Sequence, residues 1–179
     1  MGRPKAALPY GAGTLLEFQI NRLAALFEEV LVVVKETPAF PAGPARVLHD
    51  HERAHAAIHG LTRALEEAKD RIFVLAVDLP AVPPELLRSI AERSLQSAAA
   101  AVLPRADGLL QPLAGVWRRE ALGAACRRTE AGELSLHALA EEVGVETLEE
   151  SEWRRIDPSG TAFANLNTLE QYAAQRERA

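Results

Sequence analysis

The sequence predicts an α/β protein with a mostly parallel sheet and helices on both faces. Three observations carry this. Residues 72–77 (IFVLAV) and 29–35 (EVLVVVK) hold short apolar runs rich in β-branched residues, the pattern of strands buried on both faces. Segments with apolar residues at helical spacing separate such runs. Strand and helix alternate through the first half, which parallel pairing requires.

Residues 2–5 open the chain as a loop, continued through Pro9, Gly11 and Gly13. Thr14 and Glu17 then form a capping-box pair that starts a helix, and Leu16, Ile20, Leu23 and Phe27 give it one buried face. After the strand at 29–35, the proline-rich stretch 37–44 is a loop and 45–49 a short strand ending at Asp50. A helix over 54–67 turns Ile58, Leu61 and Leu65 to one side. The strand at 72–77 follows and closes on Asp78. Pro84 suits the first position of the next helix, which carries Leu86, Leu87 and Ile90.

In the second half, 98–103 reads as a strand, Asp107-Gly108 as a hairpin turn and 111–117 as the return strand. Helical patches cover 121–128 and 136–143, with a brief strand at 145–148. A last helix starts near Asn167 or Thr168.

The chain has 179 residues, 48 % of them apolar, which suits a single domain over 1–179 with a real core. Its net charge is −5 with scattered basic residues, which argues against a nucleic-acid partner. The single cysteine cannot form an internal disulfide. With no long apolar run and no signal-like start, the expected setting is cytoplasmic, without a membrane.

Asp78 stands out because a buried carboxylate costs several kcal/mol unless paired, so it belongs at the strand's mouth, where open α/β sheets bind ligands. The plainer alternative is an Asp that starts a turn before Pro80. His49, His51, His55 and His59 lack a joining set of ligands. The last three read as one face of an early-starting helix, not a metal site. Cys126 reads as a small buried residue.

Several pieces fit one pattern: MGRPKAALP with TLLE, VLAVDLPAVPPELL, QPLAGVWRREAL, AGELSLHAL and FANLNTLEQYA. They span nearly the whole chain, in order. In them the chain resembles the molybdenum cofactor guanylyltransferases, nucleotidyltransferases with a Rossmann-like three-layer α/β/α fold. The resemblance implies Mg²⁺-dependent transfer of GMP from GTP to molybdenum-molybdopterin, releasing pyrophosphate. Molybdoenzymes or cofactor-insertion proteins are then possible partners.

By the same resemblance Asp78 holds the Mg²⁺, Lys5 meets the phosphates, and Gly2 and Arg3 belong to the nucleotide loop. Asp50 falls in the nucleotide pocket, and Asn165 and Asn167 on the pterin side. Outside the resemblance, Lys5 is a solvated lysine near a frayed end, Asp50 caps a turn, and Asn167 or Thr168 caps the last helix.

The family opens with a strand and an LAGG-type glycine loop, of which only Gly2, Arg3 and Lys5 remain here. Loss of a central strand leaves two neighbours with unpaired ladder groups, and the expected transferase activity is weak or nil. Lys35 stands where the family tends to carry an asparagine near the base. The loop after Asp50 lacks the family's Gly-Pro-Leu pattern. The alternatives are a CTP- or sugar-phosphate-directed enzyme of the same fold, and a non-catalytic pterin- or partner-binding protein.

Overall fold

The computed structural model describes residues 4–35, 42–52 and 54–166. A 3₁₀ turn at Lys5–Ala7 and a two-strand ribbon, β1 (Pro9–Tyr10) and β2 (Gly13–Thr14), form where the sequence suggested plain loop. Thr14 then caps α1 (Leu15–Ala24) as predicted. Its hydroxyl accepts from the Glu17 N–H at 3.2 Å, and the Glu17 carboxylate accepts from the Thr14 N–H at 2.7 Å. Strands β3 (Leu31–Val34) and β4 (Arg46–His49) pair in parallel, and α2 (Ala57–Glu67) leads from β4 to β5 (Arg71–Leu75).

α2 begins at Ala57, after His51 and His55, so the single helical face expected for the histidines does not form. The rings of His49 and His51 stack instead at 6.0 Å. No cluster of metal-ligating side chains occurs among the described residues. Strand β5 ends at Leu75 because the backbone turns ahead of Pro80; Leu79 N–H already bonds the Ala76 carbonyl.

Helix α3 (Pro84–Gln96) starts on its proline as expected. Then come β6 (Ala101–Ala106), β7 (Leu109–Leu110) and β8 (Ala114–Arg118), joined through the Asp107-Gly108 turn with both residues at positive φ. The second half closes with α4 (Leu122–Glu130), α5 (Leu136–Val143), β9 (Val145–Leu148) and the unpredicted α6 (Glu150–Trp153). The expected last helix lies outside the described residues.

The five-stranded sheet runs β5-β8-β6-β7, with β9 on the far side of β6. Strands β5, β6 and β9 share one direction and β8 runs against them, because the hairpin return inserts between β5 and β6. The mostly parallel sheet expected from the sequence is thus a mixed one: β8 pairs antiparallel with β5 and β6, β7 pairs antiparallel with β6, and β6–β9 is the parallel pair of this sheet among the described residues.

Register sorts the side chains into two layers. Ile72, Trp117, Ala101 and Val145 form a row across neighbouring strands, packed with Leu61 and Leu65 of α2 and with α4 and α5. Phe73, Val116 and Val102 form the row on the other face, under α3 and Trp153. This is the three-layer α/β/α arrangement, arising from the period-two alternation of the strands.

Gly115 is where β8 and β6 press together. A Cβ there would lie 2.5 Å from the Val102 carbonyl oxygen and 2.7 Å from a Leu103 methyl. Gly115→Ala is expected to cost about 2–3 kcal/mol and to lower Tm by about 5–10 °C, because backbone cannot step aside as a flexible side chain can. A thermal melt checks it; an unchanged Tm would show that the two strands separate freely.

Among the described residues β3 pairs with β4 alone and β5 with β8 alone.

Candidate active site

The β5 strand ends in a turn that carries Asp78 out of the core. Lys5, from the first 3₁₀ turn, reaches it across the chain: its Nζ donates to Asp78 Oδ2 at 2.8 Å, with both side chains part-exposed. Lys5 is thus tied down, unlike a solvated terminal lysine. The Leu166 N–H donates to the Asp78 carbonyl at 3.0 Å, and Leu166 is buried with Leu8, Tyr10 and Leu15. That anchor places exposed Asn165 next to the Asp78 loop. Residues distant in sequence meet at one strand end.

Two further residues shape this loop and escaped the sequence reading. Buried Gln19 donates from Nε2 to the Ala76 and Val77 carbonyls, both at 3.2 Å, and pins the strand's end. Arg22 donates to the Pro80 carbonyl at 2.6 Å, and its guanidinium lies over the Phe18 ring. Burial lowers the Arg22 pKa to about 10, against a raising influence from Tyr10. Gln19 was detectable as a polar residue between Leu16 and Ile20 on the helix's apolar stripe. Arg22 carried no such sign.

Asp50 heads a second site. It follows β4 as Lys35 follows β3, so parallel pairing brings them together at 2.8 Å, Lys35 Nζ to Asp50 Oδ2. Asp50 Oδ1 accepts from the Glu52 N–H at 2.9 Å, and Lys35 also donates to the Glu52 carbonyl at 2.7 Å. Burial pushes the Asp50 carboxyl up, but the Lys35 and Glu52 hydrogen bonds outweigh it and hold the pKa below the usual value. An open cavity of about 270 Å³ lies beside the pair, bounded by Val33, His55 and Gly60. Gly2, Arg3 and Asn167 lie outside the described residues.

The Lys35–Asp50 pair gives a test with a defined sign. A carboxyl with a lowered native pKa stabilises above its unfolded pKa, and this is lost as pH falls through the native value. Lys35→Met is expected to cost about 1–3 kcal/mol at neutral pH by leaving a buried carboxylate short of its charged partner. The gap from wild type should narrow below about pH 4, as Asp50 protonates. Thermal melts between pH 7 and 3 read this out; a pH-independent gap would place the loss in packing.

Cys126 is half-buried, not fully buried as expected, and burial together with Glu66 and Glu130 pushes its thiol pKa up. That favours the unreactive thiol over the thiolate. No described helix is long and apolar enough to cross a membrane.

The three-layer α/β/α arrangement is that of the nucleotidyltransferase fold. The chain belongs to the MobA-like NTP transferase domain family, whose model matches residues 1–149. It is a nucleotidyltransferase. A probable molybdenum cofactor guanylyltransferase of Chloroflexus aggregans is 32 % identical over 158 residues, covering 86 % of this chain and 75 % of that one. Its counterpart in Mycobacterium avium is 30 % identical over 174 residues, covering 94 % and 84 %.

Among solved structures, molybdopterin-guanine dinucleotide biosynthesis protein A from Archaeoglobus fulgidus matches with a TM-score of 0.84 at 20 % identity, covering 99 % and 91 %. The 2-C-methyl-D-erythritol 4-phosphate cytidylyltransferase from Thermus thermophilus matches at 0.72 and 21 %, covering 98 % and 93 %. At these identities the structures establish the shared fold.

Proposed function

We propose that this chain transfers GMP from GTP to the terminal phosphate of a molybdopterin, forming a pyrophosphate linkage and releasing pyrophosphate. The observation that carries the reading is the Lys5–Asp78 pair at the end of β5, in a chain whose curated relatives are named guanylyltransferases.

Asp78 is the residue that would hold Mg²⁺. A hard cation bound through one carboxylate and the substrate's own phosphates needs no larger protein cage, which suits the part-exposed Asp78 carboxylate. Bound there, Mg²⁺ would supply positive charge to offset that of the reacting phosphates. The Lys5 ammonium, held on Asp78 at 2.8 Å, would meet the same phosphates and stabilise charge moving onto the leaving pyrophosphate. Asn165, beside the Asp78 loop, is placed to orient the pterin substrate.

In this reading the base enters the cavity beside Lys35 and Asp50. The Lys35 ammonium, with two of its three hydrogens on Asp50 and the Glu52 carbonyl, keeps one donor, which suits the O6 and N7 acceptors of guanine. The protein's task is positioning and electrostatics, as in phosphoryl transfer generally.

Calorimetric titration of Mg·GTP and Mg·CTP into the full chain tests the reading, followed by pyrophosphate release with molybdopterin. Binding of GTP over CTP supports it. Preference for CTP would make the chain a cytidylyltransferase-type enzyme, and absence of binding to both would leave a non-catalytic binding protein.

A further inference from the structure

The loop at 76–80 is held from outside itself at four of its five carbonyls. Those of Ala76 and Val77 accept from Gln19 Nε2, that of Asp78 from the Leu166 N–H, and that of Pro80 from Arg22 Nη1. Three of the four are thus held by one face of one helix, since residues three apart on α1 are neighbours. Loops of this kind are ordinarily among the more mobile parts of a fold, so these bonds set where the Asp78 carboxylate lies.

The same helix is fixed to the Lys5 turn. The Leu8 N–H donates to the Lys5 carbonyl at 3.0 Å, and Leu15, the first residue of α1, donates to the Leu8 carbonyl at 2.8 Å. Leu8, Tyr10, Leu15 and Leu166 bury together, with Phe18 and Val77 packed against them. Lys5 and Asp78, 73 positions apart, therefore both hang from α1, and they meet at 2.8 Å where the two arms of this frame close.

Both bracing side chains are expensive to bury. Gln19 is 4 % exposed with its Oε1 unpartnered, and Arg22 has Nε and Nη2 shut from solvent without partners among the described residues. The Arg22 guanidinium lies over the Phe18 ring at 5.6 Å and, among the described residues, meets no acid. Buried polar atoms left unpaired lower stability, so an apolar side chain of similar length would hold the fold equally well or better. A polar pair that the fold does not need, aimed at one loop, is the mark of a site that trades stability for geometry.

We infer that Gln19 and Arg22 are positioning residues, which through α1 hold the Asp78 carboxylate and the Lys5 ammonium at a fixed spacing for metal and phosphates. For its chemistry this rests on the guanylyl-transfer reading; the brace itself rests on the fold.

The full chain and two variants, Gln19→Met and Arg22→Met, test this. Methionine roughly keeps the length of each side chain and removes its donors. Site-resolved amide exchange, without nucleotide, is read at Leu79 and Leu166, whose N–H groups bond the Ala76 and Asp78 carbonyls. In each variant both amides should exchange about tenfold faster or more, with the amides of β8 unchanged and Tm equal or higher. Mg·GTP should bind about tenfold more weakly, metal-free GTP within about twofold of wild type, and transfer should fall about 100-fold, because misplaced reacting groups lose rate steeply. Faster exchange throughout the chain with a lowered Tm would mean that the two residues merely stabilise the fold, and would overturn the proposal. So would unchanged exchange at Leu79 and Leu166, or a loosened loop with wild-type Mg·GTP binding and transfer. If the wild-type chain itself binds no Mg·GTP, the transfer reading fails, and the exchange result alone decides whether α1 braces the loop.

Discussion

Asp78→Asn is expected to weaken Mg·GTP binding about 10- to 100-fold while leaving metal-free GTP binding nearly unchanged. The substitution keeps the shape of the side chain and removes its charge. The Asp78 carboxylate already accepts from Lys5 at 2.8 Å, and Asn leaves that ammonium without a counter-charge as well as giving the cation a neutral ligand. A charge-assisted contact is worth about 1.5–3 kcal/mol, which converts to that range of affinity. Transfer should fall further, by about 10²–10³-fold, since the groups that meet developing charge count most in the transition state.

Stability should hardly change, because a part-exposed pair contributes about 1 kcal/mol or less. The split between metal-dependent and metal-free binding is therefore the decisive readout. Equal loss in both would show that Asp78 shapes the loop and does not serve the cation. The Leu166 bond to the Asp78 carbonyl would then be the contact to examine, since it survives the substitution.

Trp117→Ala is expected to cost about 3–5 kcal/mol and to lower Tm by about 10 °C or more. Trp117 has no exposed surface, sits opposite Ile72 on one neighbour and Ala101 on the other, and packs the layer of α2, α4 and α5 onto the sheet. Its Nε1–H donates to the Pro112 carbonyl at 2.9 Å. Alanine would leave a large void and a buried carbonyl without its donor, two separate costs. Trp117→Phe separates them: it keeps most of the ring volume and gives up the bond, so its loss should be about 1–2 kcal/mol. Chemical denaturation of the three proteins measures both increments. If Phe proves as harmful as Ala, the hydrogen bond to Pro112 matters more than the packing.

These two residues also mark how far the sequence can be read. The elements themselves were legible wherever a local rule governs them. The Thr14–Glu17 capping box, Pro84 at a helix start, the Asp107-Gly108 turn, and the bounds of α5 and β9 all follow from neighbours in the chain. Asp78 was legible for the same kind of reason, since an acid closing an apolar strand must come to the strand's mouth.

What the sequence could not supply were relations between distant segments. The insertion of β8 between β5 and β6 is settled by register, which puts Trp117 in one row with Ile72 and Ala101. Lys35 meets Asp50 because two strands pair in parallel and end level, which neither residue's surroundings reveal. Gln19 and Arg22 hold the Asp78 loop across more than fifty positions of chain. The histidines failed as a helical face because α2 starts only at Ala57. By itself the sequence determined which segments bury and which residues are chemically costly to bury, since hydrophobic period and desolvation act locally. Tertiary structure alone decided which costly residues meet, because pairing and packing are properties of segments brought together.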